Sequence, residues 1–300
     1  MNDITISSGD AYPFESQPGY LTFSDYQALI EAVRILENPG IAAKLSNYLG
    51  MPVEKALKSL PENLVKPVTQ LTHEALSRAL DGALITLPQA RARSAYAPKA
   101  FHKLLAGTSG ALGGSFGIAS LAIELPISAT LMLRAIALTA QEQGEDPCDP
   151  ETKLACLEVF AFGGASETDD NSDIGYYAVR AFLSKTMEES AKHLVKKGLA
   201  KEGAPALVRF ISAVSQRFSI QVSQKFALQA LPAIGAVSGA AINVLFMSHF
   251  QAMAQAHFTV RRLERIYGRD QIRRCYDGVL GKQNGLSNDK KSFDSHVTSP

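Results

Sequence analysis

Two long segments without a formal charge constrain the fold of this chain most strongly. Leu104–Ile123 reads LLAGTSGALGGSFGIASLAI, and Phe226–Ser248 opens a run that has no Asp, Glu, Lys or Arg before Arg261. Twenty uncharged residues are about the length at which a helix crosses a hydrocarbon core, at about 1.5 Å per residue. We therefore expect each segment to lie in a protein core or to meet a bilayer.

The glycines of these segments recur at a spacing of four residues. Glycines at this spacing form a flat strip on one side of a helix, where a second backbone can approach closely. We predict that they are helix-packing positions: Gly110, Gly113, Gly114, Gly117, Gly235 and Gly239.

Three interpretations of the segments stay open at this stage. They are buried helices of a soluble protein, helices that insert reversibly into or dock on a bilayer, or permanent membrane spans. Glycine costs roughly 1 kcal/mol per helical site relative to alanine. Basic residues flank both sides of each run, with Lys103 and Arg134 around the first and Lys225 and Arg261 around the second. They give no positive-inside bias, so close helix–helix packing is the firmer prediction and membrane contact the second.

Helical periodicity recurs along the rest of the chain, and strand alternation is hard to find. We predict an all-α, multi-helix bundle in which the two glycine-rich helical hairpin segments pack centrally. Residues 1–20 are predicted to be a loose segment, 21–60 short helices, 61–279 the main helical domain and 280–300 a disordered tail.

Particular helices follow from apolar spacing and from helix-breaking residues. Thr22–Glu37 ends at an Asn-Pro-Gly sequence, and Glu62–Leu87 is expected to bend early at Pro67. A helix from Thr152 to Phe162 is expected to end at two glycines, Gly163 and Gly164.

Composition excludes some classes of function. The 300 residues have a net charge of +1 and no basic stripe interleaved with aromatics, which argues against nucleic acid as a partner. The three cysteines form no Cys-x-x-Cys pair, which fits free thiols in a reducing compartment. The N-terminus lacks the basic start and apolar run of a secretory signal. We expect a protein on the cytoplasmic side, either free or peripheral at or inserted in the inner membrane, and not secreted.

Glu124 is the charge that most needs an explanation. It ends the first charge-free segment, and nine further uncharged residues separate it from Arg134. A carboxylate in such surroundings is paired, protonated or at an interface with water. We predict a salt bridge to Arg134, Arg261 or Arg262, and the alternative is a functional carboxylate that lines a cavity with Arg134.

His249 and His257 lie eight residues apart on one apolar stretch. On a helix they are about 12 Å apart along the axis, too far to share a metal ion without other ligands. We expect polar partners for both at a helix–helix contact, with Gln251 and Gln255 on neighbouring turns. An acid–base role is the alternative.

The sequence Gly113–Gly117 (GGSFG) matches the Gly-x-Ser-x-Gly pattern of a hydrolase nucleophile elbow, with Ser115 as the nucleophile. That elbow requires a strand before the serine, whereas here the pattern lies within a glycine-rich helical segment. Packing glycines are the preferred interpretation. The alternative is a hydrolase of unrecognised type that uses Ser115 or the region of His249 and His257.

Nucleotide-binding, zinc-protease and paired-cysteine motifs are not found in the sequence. We therefore predict no catalytic residue, no cofactor and no metal, and we lean away from an enzyme.

Six blocks of sequence, taken together, resemble the EcsC protein family of bacteria. The resemblance covers roughly residues 60 to 278, and its blocks are Gly110–Gly117, Glu124–Asp146, Cys156–Gly164, Tyr176–Arg180, Pro232–Phe250 and His257–Gly268. The family takes its name from a protein associated with an ABC transporter system. The resemblance implies no catalytic residues, and it favours a location near a membrane.

Three functional hypotheses follow. The first is a non-enzymatic helical protein that associates with the membrane or with a membrane transport complex through its glycine-rich helices. The second is the hydrolase. The third is a soluble scaffold or small-ligand binder with Glu124 and Arg134 beside a pocket. The oligomeric state stays open.

Overall fold

The structure is a computed structural model, and it describes residues 21–37, 41–49, 53–58, 65–90, 117–163, 175–197, 205–229 and 235–281. These residues form helices and short turns and contain no strand. The all-α prediction is confirmed for this part of the chain.

The described helices follow one another along the chain in this order. They are α1 (Phe23–Leu36), α2 (Ile41–Leu49), α3 (Val53–Lys58), α4 (Val65–Ala90), α5 (Gly117–Glu142), α6 (Pro150–Glu158), α7 (Tyr176–Lys197), α8 (Pro205–Gln229) and α9 (Gly235–Tyr267). A further helix, α10, covers residues 269–281. A 3₁₀ turn, Val159–Ala161, continues directly from α6.

Local sequence signals explain several of these boundaries. Asp149 is the N-cap of α6: its side chain accepts a hydrogen bond of 2.9 Å from the backbone N–H of Thr152, and Pro150 follows at the first helical position. Gly268 separates α9 from α10 with φ +90°, a left-handed conformation that favours glycine.

The predicted helix at Glu62–Leu87 is present but shifted towards the C-terminus. It begins at Val65 and continues to Ala90. Pro67 therefore lies in the first turn, where a proline removes no intrahelical hydrogen bond, and the predicted bend at that residue has no basis.

The described residues form two compact units. Unit 1 contains the described residues 21–34 and 259–281, and unit 2 contains the described residues between 35 and 258. Within unit 2, α8 contacts α3, α4, α7 and the 3₁₀ turn, and α4 contacts α5. Four buried phenylalanine rings with neighbouring centroids 4.8–6.0 Å apart fill its core, namely Phe160, Phe218, Phe246 and Phe250.

Within unit 1, polar contacts join the start of α1 to the end of α9. Asp25 accepts hydrogen bonds from Arg262 at 2.9 Å, from the Tyr267 hydroxyl at 2.7 Å and from the Thr22 hydroxyl at 3.0 Å. Burial alone would raise the pKa of the Asp25 carboxyl, but these hydrogen bonds together lower it below its ordinary value of 3.8.

We expect Asp25→Asn to destabilise unit 1 by about 1–3 kcal/mol at neutral pH, because hydrogen bonds to a charged acceptor are lost. A depressed carboxyl pKa stabilises the fold above the ordinary value of 3.8 and stops doing so as pH falls through the folded-state pKa. The difference between wild type and variant should therefore shrink below about pH 4. Hydrogen exchange of the α1 amides between about pH 2.5 and 7 measures this.

Glu31→Gln is the matched control, because Glu31 pairs with Arg34 on the same helix with both side chains more than half exposed. Its effect on α1 exchange should be small. Equal effects of the two variants would contradict the assignment of Asp25.

Candidate functional site

Glu124 forms a buried ion pair with Lys225. The Lys225 Nζ donates a hydrogen bond of 2.6 Å to Glu124 Oε1, and the two side chains are only 3% and 6% exposed. The ammonium also lies 5.3 Å from the centre of the Phe246 ring. The predicted salt bridge of Glu124 to Arg134, Arg261 or Arg262 is therefore wrong, because its partner is Lys225. Arg134 is exposed and lies about 15 Å further along α5, so Glu124 and Arg134 do not share one site.

The pair lies at one end of the helices of unit 2. Glu124 is near the start of α5, Lys225 is near the end of α8, and Phe246 is in the first half of α9. The second half of α4 packs on α5, since a β-carbon built on Gly82 would lie 3.7 Å from Thr130. Along the chain, residues 91–116 lead from α4 into α5 and residues 230–234 lead from α8 into α9, and both of these connections contain charge-free sequence.

Beside the ion pair, α5 presents apolar side chains to the outside. Ile123 is 71% exposed and Ile127 is 39% exposed, whereas Glu124 and Leu125 between them are buried. Among the described residues, one helix, Leu121–Glu142, is long and apolar enough to cross a membrane, and 44% of the residues in its most apolar 18-residue window are buried in the structure. The core helix of a soluble protein meets the same criteria, so this property alone does not decide between lipid and core.

The packing role of the glycines stays a prediction. Gly110, Gly113 and Gly114 lie outside the described residues, as does Ser115. Gly117 begins α5 and Gly235 begins α9, with Gly239 in the first two turns of α9.

A second polar cluster surrounds the turn that follows α6. Gln221 donates a hydrogen bond of 2.7 Å to the carbonyl of Phe162, and Arg217 donates one of 2.9 Å to the carbonyl of Ala161. These two donors and Lys225 are spaced four residues apart on α8, so they form one polar stripe on that helix. The stripe therefore contacts both the turn that follows α6 and the carboxylate of Glu124.

His257 lies in this cluster and is fully buried. Its Nδ1 is 2.9 Å from the Tyr176 hydroxyl, its Nε2 is 3.7 Å from Glu158 Oε2, and its ring packs on Phe162. If the tyrosine donates its proton to Nδ1, the Nε2 proton of a neutral imidazole points towards Glu158. The backbone N–H of Tyr176 in turn donates a hydrogen bond of 3.1 Å to Glu37. His257 therefore has the polar partners that the sequence analysis expected at a helix contact.

His249 is also buried, two turns earlier on α9. Burial, and to a smaller extent the nearby charge of Lys44, lower its pKa from 6.5 to about 3. Lys44 Nζ lies 3.5 Å from Nδ1, and Nε2 has no hydrogen-bond partner among the described residues. Gln251 and Gln255 are exposed, so the expectation that they accompany the histidines inside the contact is wrong.

Gly163 explains how His249 is held. This glycine has φ +74°, and a β-carbon built on it would lie 3.0 Å from both His249 Nε2 and Met253 Cε. The backbone of the turn therefore packs directly against the imidazole, which only a residue without a side chain permits.

We expect Gly163→Ala to destabilise the protein by about 2–4 kcal/mol, from left-handed backbone strain of about 1–2 kcal/mol and overpacking against His249. Gly268→Ala is the matched control, because Gly268 has φ +90° but no atom within 4 Å of a built β-carbon. It should show the backbone strain alone. Urea unfolding of both variants measures the difference, and equal losses would contradict the contact with His249.

The chemistry available to this cluster is limited by burial. Glu158, Tyr176, His249 and His257 are each at most 3% exposed, so none of them is open to solvent in this structure. Within the part of the chain that is described, no group of three His, Cys, Asp or Glu side chains could hold a metal ion. Cys148, Cys156 and Cys275, which all lie in described parts of the chain, form no disulfide.

Sequence reasoning missed Lys225, Glu158, Tyr176 and Lys44 as site residues. Two of them had a usable signal. Lys225 is the last charge before the second charge-free run, and Glu158 is the one charge within the apolar sequence CLEVFAF. Isolated charges in such surroundings require partners.

Comparison with known protein families gives a match to the EcsC protein family over residues 34–263, more than two thirds of the chain. The chain belongs to the EcsC protein family. The matched region begins earlier than the resemblance seen in the sequence, which started near residue 60, and it contains both polar clusters. Neither the curated proteins nor the solved structures contain a match to this EcsC protein.

Proposed function

We propose that this EcsC-family protein is a non-enzymatic helical protein that binds a lipid bilayer on the cytoplasmic side. The contact is made by the end of unit 2 where α5 and α9 begin. The observation that carries the proposal is the outward apolar face of α5, with Ile123 71% exposed and Ile127 39% exposed.

The sequence around this face supports a lipid partner. Leu104–Phe116 and Leu231–Ile234 have no charged side chain, and both run into the helices at the end that contains Ile123. A water-exposed surface normally carries charges, whereas a surface that enters the boundary between headgroups and acyl chains gains free energy from apolar side chains. The site as a whole thus favours lipid over an aqueous solute.

Burial of the polar cluster argues for a non-enzymatic protein. The hydrolase alternative needs a histidine that reaches its substrate, and His249 and His257 are 1% and 0% exposed. The small-ligand alternative needs Glu124 free to line a cavity with Arg134, and its carboxylate is instead bonded to Lys225.

We expect the full-length protein to float with phosphatidylglycerol–phosphatidylcholine vesicles in a density gradient. The double variant Ile123→Glu/Ile127→Glu should lower the bound fraction at least about tenfold, because transfer of each isoleucine into an apolar phase is worth about 1.5–3 kcal/mol. Flotation followed by gel densitometry measures both.

Val195→Glu is the matched control. Val195 is 73% exposed, close to the exposure of Ile123. It lies near the end of α7, where Arg209 of α8 contacts Glu189, about 24 Å along α8 from Lys225. This variant should float like wild type. If the wild-type protein does not bind vesicles but sediments with membranes from cells, the proposed lipid contact is wrong. The partner would then be a membrane protein complex.

A further inference from the structure

The composition of α5 permits two different positions on a membrane. The stretch Leu121–Glu142 is long and apolar enough to span a bilayer, and only part of it, including Ile123 and Ile127, is exposed in the structure. It could also stay packed in unit 2 and touch lipid with one face only. The buried ion pair distinguishes these two positions, because Glu124 belongs to α5 and Lys225 does not.

Removal of α5 from unit 2 would leave Glu124 and Lys225 each without its ion-pair partner. Lys225 is 2% exposed as a residue, and its ammonium lies 5.3 Å from the centre of the buried Phe246 ring. An ammonium left there without its carboxylate is strongly unfavourable. Glu124 would at the same time enter the hydrocarbon region, where a carboxylate is also costly. Neither penalty arises while α5 stays packed and the 2.6 Å contact is kept.

We infer that the Glu124–Lys225 pair keeps α5 in unit 2 while the protein is bound, so that the protein contacts one lipid leaflet and α5 does not cross the bilayer. This inference rests on the proposed function. The geometry of a single helical turn supports it: Ile123 and Ile127 face outward, and Glu124 and Leu125 face the bundle. One side of the turn can enter the headgroup boundary while the other side stays bonded to α8.

The absence of tryptophan from the sequence makes insertion depth measurable at single positions. Ile127→Trp places a reporter on the outward face. Leu138→Trp places another at a half-buried position on α5, about 16 Å further along the axis. Each full-length variant is mixed with vesicles whose lipids carry bromine either near the headgroup or near the end of the acyl chain.

With the ion pair intact, headgroup-side bromine should quench the Ile127→Trp reporter about twofold, because an interfacial side chain lies about 5–10 Å into the boundary. The Leu138→Trp reporter should be unaffected by either lipid. Introduction of Glu124→Gln removes the charge with little change of shape, and the Leu138→Trp reporter should then be quenched about twofold by bromine at the chain end. The reversed pair Glu124→Lys/Lys225→Glu should restore the wild-type pattern.

Deep quenching of Leu138→Trp with the pair intact would overturn the inference, as would a pattern unchanged by Glu124→Gln. If Glu124→Gln does not fold, the two reporters in the intact protein still decide whether α5 stays packed. Loss of flotation of the intact protein would instead contradict the proposed function, so the two failures are distinguishable.

Discussion

Replacement of Lys225 by methionine should lower the free energy of unfolding by about 3–5 kcal/mol. The variant leaves the Glu124 carboxylate buried at 6% side-chain exposure without its cation, and an uncompensated buried charge has a penalty of this size. The double variant Glu124→Leu/Lys225→Met should recover most of the loss, because apolar side chains of similar volume often replace a buried ion pair without cost. Urea unfolding followed by circular dichroism measures both.

Lys192→Met provides the matched control. Lys192 also forms a 2.6 Å contact with a glutamate, Glu188, but both side chains are 69% exposed. Solvent already screens this pair, so its removal should leave the unfolding midpoint nearly unchanged. The importance of the buried pair would be refuted if Lys225→Met had no larger effect than Lys192→Met.

Much of the fold follows from local sequence signals. The end of α1 before Asn38-Pro39-Gly40, the break at Asp146–Pro150 and the end of the α6 segment at Gly163 are predictable because residues there control backbone geometry locally. The start of α4 is harder to predict, because apolar spacing continues smoothly across its first turn and Pro67 is tolerated there.

The partners of the buried polar residues cannot be predicted in the same way. Tyr176 and His257 are 81 residues apart in the chain, and Lys225 and Glu124 are 101 residues apart. Such contacts depend on which helices become neighbours, and no local pattern encodes that. The sequence does show that an isolated charge in an apolar run needs a partner.

The polar stripe on α8 is a local sequence pattern that takes part in long-range contacts. Arg217, Gln221 and Lys225 recur every four residues along the helix, a spacing that places them on one side. Each bonds a different acceptor in unit 2: two backbone carbonyls of the turn after α6 and the carboxylate of α5. A polar stripe on a central helix of a bundle therefore indicates where distant segments meet, even when it does not identify them.

The largest pH effect that we expect comes from His249. Its pKa falls from 6.5 to about 3 on folding, chiefly because it is buried, so the unfolded chain binds a proton in this range that the folded protein does not. Stability should fall as pH drops below 6.5, with a contribution that approaches about 1.4 kcal/mol per pH unit. In urea unfolding at several pH values between about 7.5 and 4.5, the stability of wild type relative to His249→Gln should therefore decrease steadily as the pH is lowered.

Lys44→Met separates the two causes of this shift. Burial is the larger cause and the charge of Lys44 the smaller, so a variant without the ammonium should keep most of the wild-type dependence of stability on pH. The His249 pKa of the folded variant should be somewhat higher, so this dependence should end at a somewhat higher pH. If the imidazole were instead open to solvent, its pKa would stay near the ordinary value and His249→Gln would shift stability equally at both ends of that pH range. That result would also leave only the positive φ of Gly163 as a reason for a glycine there, since the second reason is that a β-carbon would lie 3.0 Å from a fixed His249 ring.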